Sequence, residues 1–392
     1  MKKETKVVHA GHNKKRNAGA VNTPVVHAST IIFDKMEDLR EVERKAAAGE
    51  RVMSYGRRGT PTHWTLQEAL TDLAGGSETV LVPSGLAAGT TVILACVKAG
   101  DHILASDSIY GPTREFCTGF MARFGVETTF YDPLIGSGIA ELMKPNTTLV
   151  LCESPGSLTF EVQDIPAIAA AAKKQKAIVA IDNTWATPLF CQPLKLGVDL
   201  VIEAATKYIV GHSDAMMGAI TGTAEAIALV KKANAALGLS VAPDDVYLAT
   251  RGLRTLGARL ERHQASAFKI ARWLQARPEI KRVLYPALPE DPGHALWKRD
   301  FTGASGLLGM VFKQTSQAAV EAMMEGMDYF ALGFSWGGFE SLIAPLDPKR
   351  TAVRWSDPTP GIRIHVGLED VDDLIADLEK GLARFKKALA SS

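Results

Sequence analysis

The chain has 392 residues, enough at about 150 residues per domain for two or three domains with a large core. Its composition, 46% hydrophobic, 22% charged and 7% aromatic, is that of a folded globular protein and excludes extended disorder. With 44 basic against 43 acidic residues, the net charge of +1 offers no field for nucleic acid or an anionic membrane surface, and no run approaches the length of about 18 apolar residues that a membrane span needs. The polar, charged N-terminus lacks the apolar stretch of a secretory signal. Four cysteines without a C-x-x-C spacing read as reduced, mostly buried thiols, and together these features point to the cytoplasm.

Residues 1–60 alternate short apolar pieces with charge and glycine, a pattern that predicts no compact core of their own and an arm lying on a partner subunit. From residue 79 short apolar runs alternate with amphipathic stretches. Strands are expected at 79–82, 102–105, 126–131, 148–152, 177–181, 199–203 and 218–221, and helices at 86–97, 114–124, 165–174 and 224–236. These are βα units around a mostly parallel sheet with helices on both faces, an α/β fold. Residues 244–276 read as a long helix broken near Gly252 or Gly257. After Pro278 the pattern becomes α+β, with strands at 282–285, 306–312, 329–332 and 362–366 and helices at 317–327 and 371–388. The expected division is an arm at 1–60, an α/β domain at 61–250 and a C-terminal α+β domain at 251–392.

In an open α/β sheet, ligands bind beyond the carboxyl ends of the strands, so the residues following each strand are the first candidates. The strand at 79–82 runs into Pro83-Ser84-Gly85-Leu86 and a helix, which puts the N–H groups of Gly85 and Leu86 where a phosphate binds. A plain Ser84 cap with a turn at Gly85 is the alternative. The strand at 177–181 ends in Asp182, an acid costly to bury without a positive partner unless it caps a helix. The strand at 199–203 leads through Ala204-Ala205-Thr206 to Lys207 and then a polar turn, Gly211-His212-Ser213-Asp214, in which His212 and Asp214 read as turn-stabilising. Most lysines are solvated, but one behind a buried strand, a further helix and strand after Asp182, is unusual. Phosphate donors, an acid and a lysine on one rim are the three handles of pyridoxal 5'-phosphate, which bonds to a lysine amine, needs an acid at its ring nitrogen and needs donors for its phosphate. No strand is followed by G-x-G-x-x-G opening a helix, which argues against a dinucleotide enzyme.

Several segments in register carry a resemblance: Tyr55-Gly56-Arg57-Arg58-Gly59-Thr60-Pro61-Thr62, Ser154-Pro155-Gly156-Ser157, Asp182-Asn183-Thr184-Trp185, Ala205-Thr206-Lys207-Tyr208, Arg251-Gly252-Leu253-Arg254-Thr255-Leu256, Ser335-Trp336-Gly337-Gly338-Phe339-Glu340 and His365-Val366-Gly367-Leu368-Glu369-Asp370. Over nearly the whole chain the sequence resembles the cysteine/methionine-metabolism family of pyridoxal-phosphate enzymes. The resemblance implies the aspartate-aminotransferase-like fold of PLP-dependent transferases and a homotetramer of two catalytic dimers with shared active sites. It implies that Lys207 holds the cofactor and acts as general base, that Asp182 pairs with the ring nitrogen, and that Tyr110 stacks on the ring and deprotonates the incoming amine. Gly85, Leu86 and Thr206 would hold the phosphate, with Tyr55 and Arg57 reaching in from the neighbouring subunit. On the substrate side it implies Arg363 at the α-carboxylate, with Trp336, Ser335 and Tyr55 around the pocket.

Two departures from the wider family, Gly156-Ser157 in place of threonine-asparagine and Trp336 in place of leucine, match its β-lyase branch. That branch implies β-elimination from L-cystathionine, giving homocysteine, pyruvate and ammonia in methionine biosynthesis, with L-cystine and other S-substituted cysteines as further substrates that release their own thiols. A γ-lyase of cystathionine or methionine, or an O-acetylhomoserine sulfhydrylase, is the alternative on the same site. A third departure, Ala204 in place of serine, removes one phosphate hydroxyl. Packing roles for Trp336 and Tyr110 and a structural ion pair for Arg363 are the competing readings.

Overall fold

The structure, a computed structural model, describes residues 1–391. Seven strands, β1 (Glu78–Val82), β2 (His102–Ser106), β3 (Glu127–Tyr131), β4 (Thr147–Glu153), β5 (Ile178–Asp182), β6 (Leu200–Glu203) and β7 (Gly218–Gly222), form one sheet in the order β1-β7-β6-β5-β4-β2-β3. Only β7 runs against its neighbours, so the other six point their carboxyl ends to one rim. Every residue of β2, β6 and β7 is buried, as a sheet covered on both faces requires. Alternate residues serve opposite layers. Ile103 and Ala105 join a core with Val92, Ile93, Ile227 and Val230 of helices Gly85–Cys96 and Ala224–Leu237, while Leu104 joins one with Ile168 and Ala172 of helix Ile165–Lys174.

A second sheet contains β8 (Ile280–Leu284), β9 (Leu307–Phe312), β10 (Ala331–Leu332), β11 (Leu342–Leu346) and β12 (Gly361–His365), in the order β10-β11-β12-β9-β8. Helices Leu256–Gln275, Gln317–Met324 and Val371–Ala390 supply Ile270, Leu274, Val320, Met323, Leu378 and Phe385 to its core.

Two elements depart from expectation. The helix expected at 114–124 is a short α-helix, Gly111–Glu115, followed by a π turn at Phe116–Phe120 and a 3-10 turn at Met121–Phe124, along which the Phe116, Phe120 and Phe124 rings follow one another at 4.9 and 5.1 Å. β11 escapes the sequence pattern because Pro345 interrupts it. Proline is tolerated there because β10 pairs only with Leu342 and Ile343, leaving that side of residue 345 without a strand. The long helix breaks at Thr255, between Gly252 and Gly257, as the sequence leads one to expect, although no glycine occupies the break itself. Gly252 serves close approach instead, since a Cβ there would lie 2.1 Å from the Val210 carbonyl oxygen. The first residues pack on the core of the later chain, where Val7 and Ala10 join Leu66, Leu70 and Leu253. Helix Lys3–His9 buries Val7, and Arg254 Nη1 donates to the carbonyls of Val7 and Ala10 at 3.1 and 2.8 Å.

Candidate active site

The carboxyl ends of β4, β5 and β6 carry Glu153, Asp182 and Glu203, and the first two are paired in register. Thr184, in the turn after β5, donates to Asp182 Oδ1 through its N–H at 2.9 Å and its hydroxyl at 2.5 Å. Burial raises the Asp182 carboxyl, opposed by these Thr184 bonds and by the Lys207 charge. No cation touches it among the described residues, so the site supplies an oriented acid that lacks a positive partner. Glu153 and Glu203 are pushed well up, first by burial and then by the Asp182 charge. Glu203 Oε1 accepts from Asn183 Nδ2 at 2.9 Å, and Glu153 Oε2 accepts from the Tyr110 N–H at 2.6 Å.

Lys207 sits in the turn that follows β6. Its Nζ donates to Ser335 Oγ at 2.5 Å and lies 5.3 Å from the centre of the Trp336 ring. Burial pulls its pKa down to about 8, with the Arg363 guanidinium lowering it further and Asp182 opposing. A lysine in this state gives up its proton readily enough to act as a base or nucleophile near neutrality.

Arg363, in the middle of β12, donates from Nη2 to the Ser335 carbonyl oxygen at 3.1 Å, while its Nε is buried without a partner among the described residues. A buried guanidinium nitrogen left free is a ready place for a carboxylate. It is not the structural ion pair of the competing reading, because no carboxylate of the described residues touches it.

The phosphate end is equally defined. Ser84 caps helix Gly85–Cys96 by accepting the Ala87 N–H at 3.0 Å, so the N–H groups of Gly85 and Leu86 remain free. A Cβ on Gly85 would lie 2.5 Å from Ala204 Cβ, so glycine lets the helix start press against the turn that carries Lys207. The Thr206 hydroxyl donates to the Met217 carbonyl oxygen at 3.1 Å and accepts the Met217 N–H at 2.9 Å, so it must turn away before it can donate to a phosphate.

Tyr110 caps the short helix Gly111–Glu115 with its ring half-exposed. Burial and the Glu153 and Asp182 charges raise its phenol, against the Arg363 charge. The chain's own groups on balance hold the proton on the Tyr110 phenol. Tyr55 and Arg57 line a separate depression with Ser29, His63, Ser240 and Pro243. No hydrogen bond, ion pair or ring contact joins either to Lys207, Asp182 or Tyr110.

Glu153 and Thr184 were not singled out, although the rule that finds Asp182, an acid ending an apolar strand, also finds Glu153. Asp107, just beyond β2, carries no such visible signal. It is buried and accepts the N–H groups of Thr351, Ala352 and Val353 at 2.9–3.1 Å together with Arg114 Nη2, clamping a loop of the C-terminal part beside the turn that holds Tyr110.

A free helix N–H pair, an oriented acid without a cation and a desolvated lysine together fit the phosphate, ring nitrogen and carbonyl carbon of pyridoxal phosphate. Over residues 4–383 the chain matches the family described as Cys/Met metabolism PLP-dependent enzyme. It is 44% identical to the cystathionine beta-lyase of Escherichia coli K12, over 98% of this chain and 99% of that one, and 44% identical to that of Salmonella typhimurium LT2, over 97% and 98%. Its fold is similar to that of cystathionine gamma synthase from Xanthomonas oryzae pv. oryzae in complex with cystathionine, with a TM-score of 0.89, 31% identity and 99% of both chains covered. Matches that run nearly end to end, in sequence as well as fold, leave no part of the chain to be explained separately: it belongs to the pyridoxal-phosphate-dependent enzymes of cysteine and methionine metabolism, and pyridoxal phosphate is its cofactor.

Proposed function

We propose that the chain cleaves L-cystathionine at the β-carbon, taking up water and releasing homocysteine, pyruvate and ammonia. The observation that carries this reading is the placement of the Lys207 amine against Ser335 and Trp336, with Arg363, one of its nitrogens without a partner among the described residues, bonded to the same Ser335. When bound, pyridoxal phosphate supplies an electrophilic carbonyl and an electron-withdrawing ring that stabilises a carbanion at the substrate α-carbon. Arg363 takes the α-carboxylate through Nε and its remaining Nη hydrogens. Lys207, once free and uncharged, accepts the α-proton at Nζ, and Ser335 Oγ keeps that nitrogen in place until then. Asp182, oriented by Thr184, holds a proton at the ring nitrogen. Trp336 walls the pocket so that the β-carbon bears the departing thiolate.

The assay identifies both the keto acid and the thiol formed from L-cystathionine. Pyruvate with homocysteine supports the reading. 2-Oxobutyrate with cysteine sinks it in favour of γ-elimination on the same cofactor site.

We further propose a cytoplasmic homotetramer of two dimers in which Tyr55 and Arg57 complete the site of the neighbouring subunit at the cofactor phosphate. Two features support this. Both residues stand apart from their own Lys207, and the arm leaves Val21, Ile32 and Met36 exposed, with no residue of helix Met36–Ala47 buried.

A further inference from the structure

The loop between β10 and β11 holds the substrate side of the cleft in place. Ser335 Oγ takes the Lys207 ammonium, Ser335 carbonyl oxygen takes Arg363, and Trp336 packs at 5.5 Å from the Tyr208 ring. The loop lies hard against the lysine. Gly337 adopts φ +86°, and a Cβ there would sit 2.9 Å from the Lys207 carbonyl carbon and from the Tyr208 nitrogen. Yet no residue from 334 to 338 makes a backbone–backbone hydrogen bond. The loop is held by side chains, and two of them, Arg363 and His365, lie two residues apart on one face of β12.

His365 is fully buried, with Nε2 3.1 Å from the Gly337 nitrogen and 3.2 Å from the Gly338 carbonyl oxygen. A backbone N–H can only donate, so the Gly337 bond requires a bare Nε2 and places the imidazole proton on Nδ1, which makes the Gly338 carbonyl oxygen a polar neighbour of Nε2 and not its hydrogen-bond partner. Burial, with the neighbouring His263 as the next cause, pulls the His365 pKa to about 3, so the ring stays neutral and able to accept. Its Nδ1 has no partner among the described residues, and the ring is flanked by His263 at 5.3 Å and Tyr208 at 6.0 Å. Its one directed contact with the loop is therefore through Nε2.

We propose that His365 is a positioning residue whose Nε2 fixes the Gly337 N–H, and through it Ser335 and Trp336, against Lys207 and Arg363, setting where the substrate's sulfur stands relative to the base. This rests on the reading of Ser335, Trp336 and Arg363 as the substrate side. Three variants test it. In His365→Gln the side-chain oxygen reaches the place of Nε2, in His365→Asn it reaches only the place of Nδ1, and in His365→Leu no acceptor remains. Leaving a buried N–H unpaired predicts a KM for L-cystathionine raised roughly tenfold or more in the Asn and Leu variants, with kcat and cofactor content changed less, and substantial recovery in the Gln variant.

Amide exchange of the peptide covering residues 334–338 in the cofactor-free protein gives a readout independent of turnover. Exchange should be faster in the Asn and Leu variants and near the parent rate in the Gln variant. Equal exchange and equal KM in Asn and Gln would overturn the proposal, and that pair decides the matter even if the Leu variant does not fold. A parent enzyme that releases no pyruvate would instead sink the functional reading and leave the exchange result standing.

Discussion

Replacing Gly85 by alanine tests the phosphate site where the geometry is tightest. The added methyl would lie 2.5 Å from Ala204 Cβ and 3.0 Å from its Cα, and ordinary contact begins at 3.4 Å. The start of the helix must therefore withdraw by about 1 Å, since a methyl against a methyl has no softer way to yield. The cofactor-free chain can relax in this way at little loss, because alanine favours the helix by up to ~1 kcal/mol over glycine. Binding reverses the relaxation, since the Gly85 and Leu86 N–H groups must both return to the phosphate. Overpacking strain of about 1–3 kcal/mol then weakens cofactor affinity roughly 5- to 150-fold. The assay is titration of the cofactor-free protein with pyridoxal phosphate, followed by visible absorption, beside a thermal melt. Adding Ala204→Gly removes the 2.5 Å contact and should restore part of the affinity. Unchanged affinity in Gly85→Ala, at an unchanged melting temperature, would refute the placement of the phosphate at this helix.

Lys207 is uncharged above about pH 8 in the folded, cofactor-free chain and above about 10.4 when unfolded, so the unfolded state binds more protons between these values. Stability of the cofactor-free protein should therefore rise across that interval by an increment that Lys207→Met abolishes, as denaturant titrations at several pH values would show. Asp182→Asn should keep most of the cofactor, held by its lysine and phosphate contacts, but lose roughly a hundredfold or more in kcat, and near-normal turnover would remove Asp182 from its role. Asp107→Ala strips a buried acceptor from the Thr351, Ala352 and Val353 N–H groups and removes the carboxylate partner of Arg114, which keeps the Asp107 carbonyl, costing about 3–5 kcal/mol and opening the loop around residues 350–353 to limited proteolysis. Mixing inactive Lys207→Ala and Tyr55→Ala chains should recover part of the activity in hybrid dimers. Proven mixing without recovery would place Tyr55 in its own subunit's site.

Sequence alone determined the class of the sheet and picked out two candidate residues at its rim. Apolar runs separated by amphipathic helices admit few alternatives to a parallel sheet, because a strand buried on both faces must be apolar throughout and its crossover must bury one stripe. Asp182 and Lys207 were legible as candidates because one ends such a strand and the other lies in the turn after one, and ligands of a parallel sheet bind at that edge. Local pattern misleads where the neighbours decide, as at Pro345 in β11, which sits in a strand because no strand pairs with that side of it.

Only the tertiary structure decided what surrounds the lysine. Ser335 is 128 residues from Lys207, and Arg363 and His365 reach the same loop from a strand of the other sheet. The depressed pKa of Lys207 arises from burial and from Arg363, and the raised phenol of Tyr110 arises from burial, Glu153 and Asp182. None of this is encoded by spacing, because periodicity fixes which face of an element is buried but not which distant element covers it. The docking of the two sheets settles that, and with it which buried donors and acceptors are left free for a ligand.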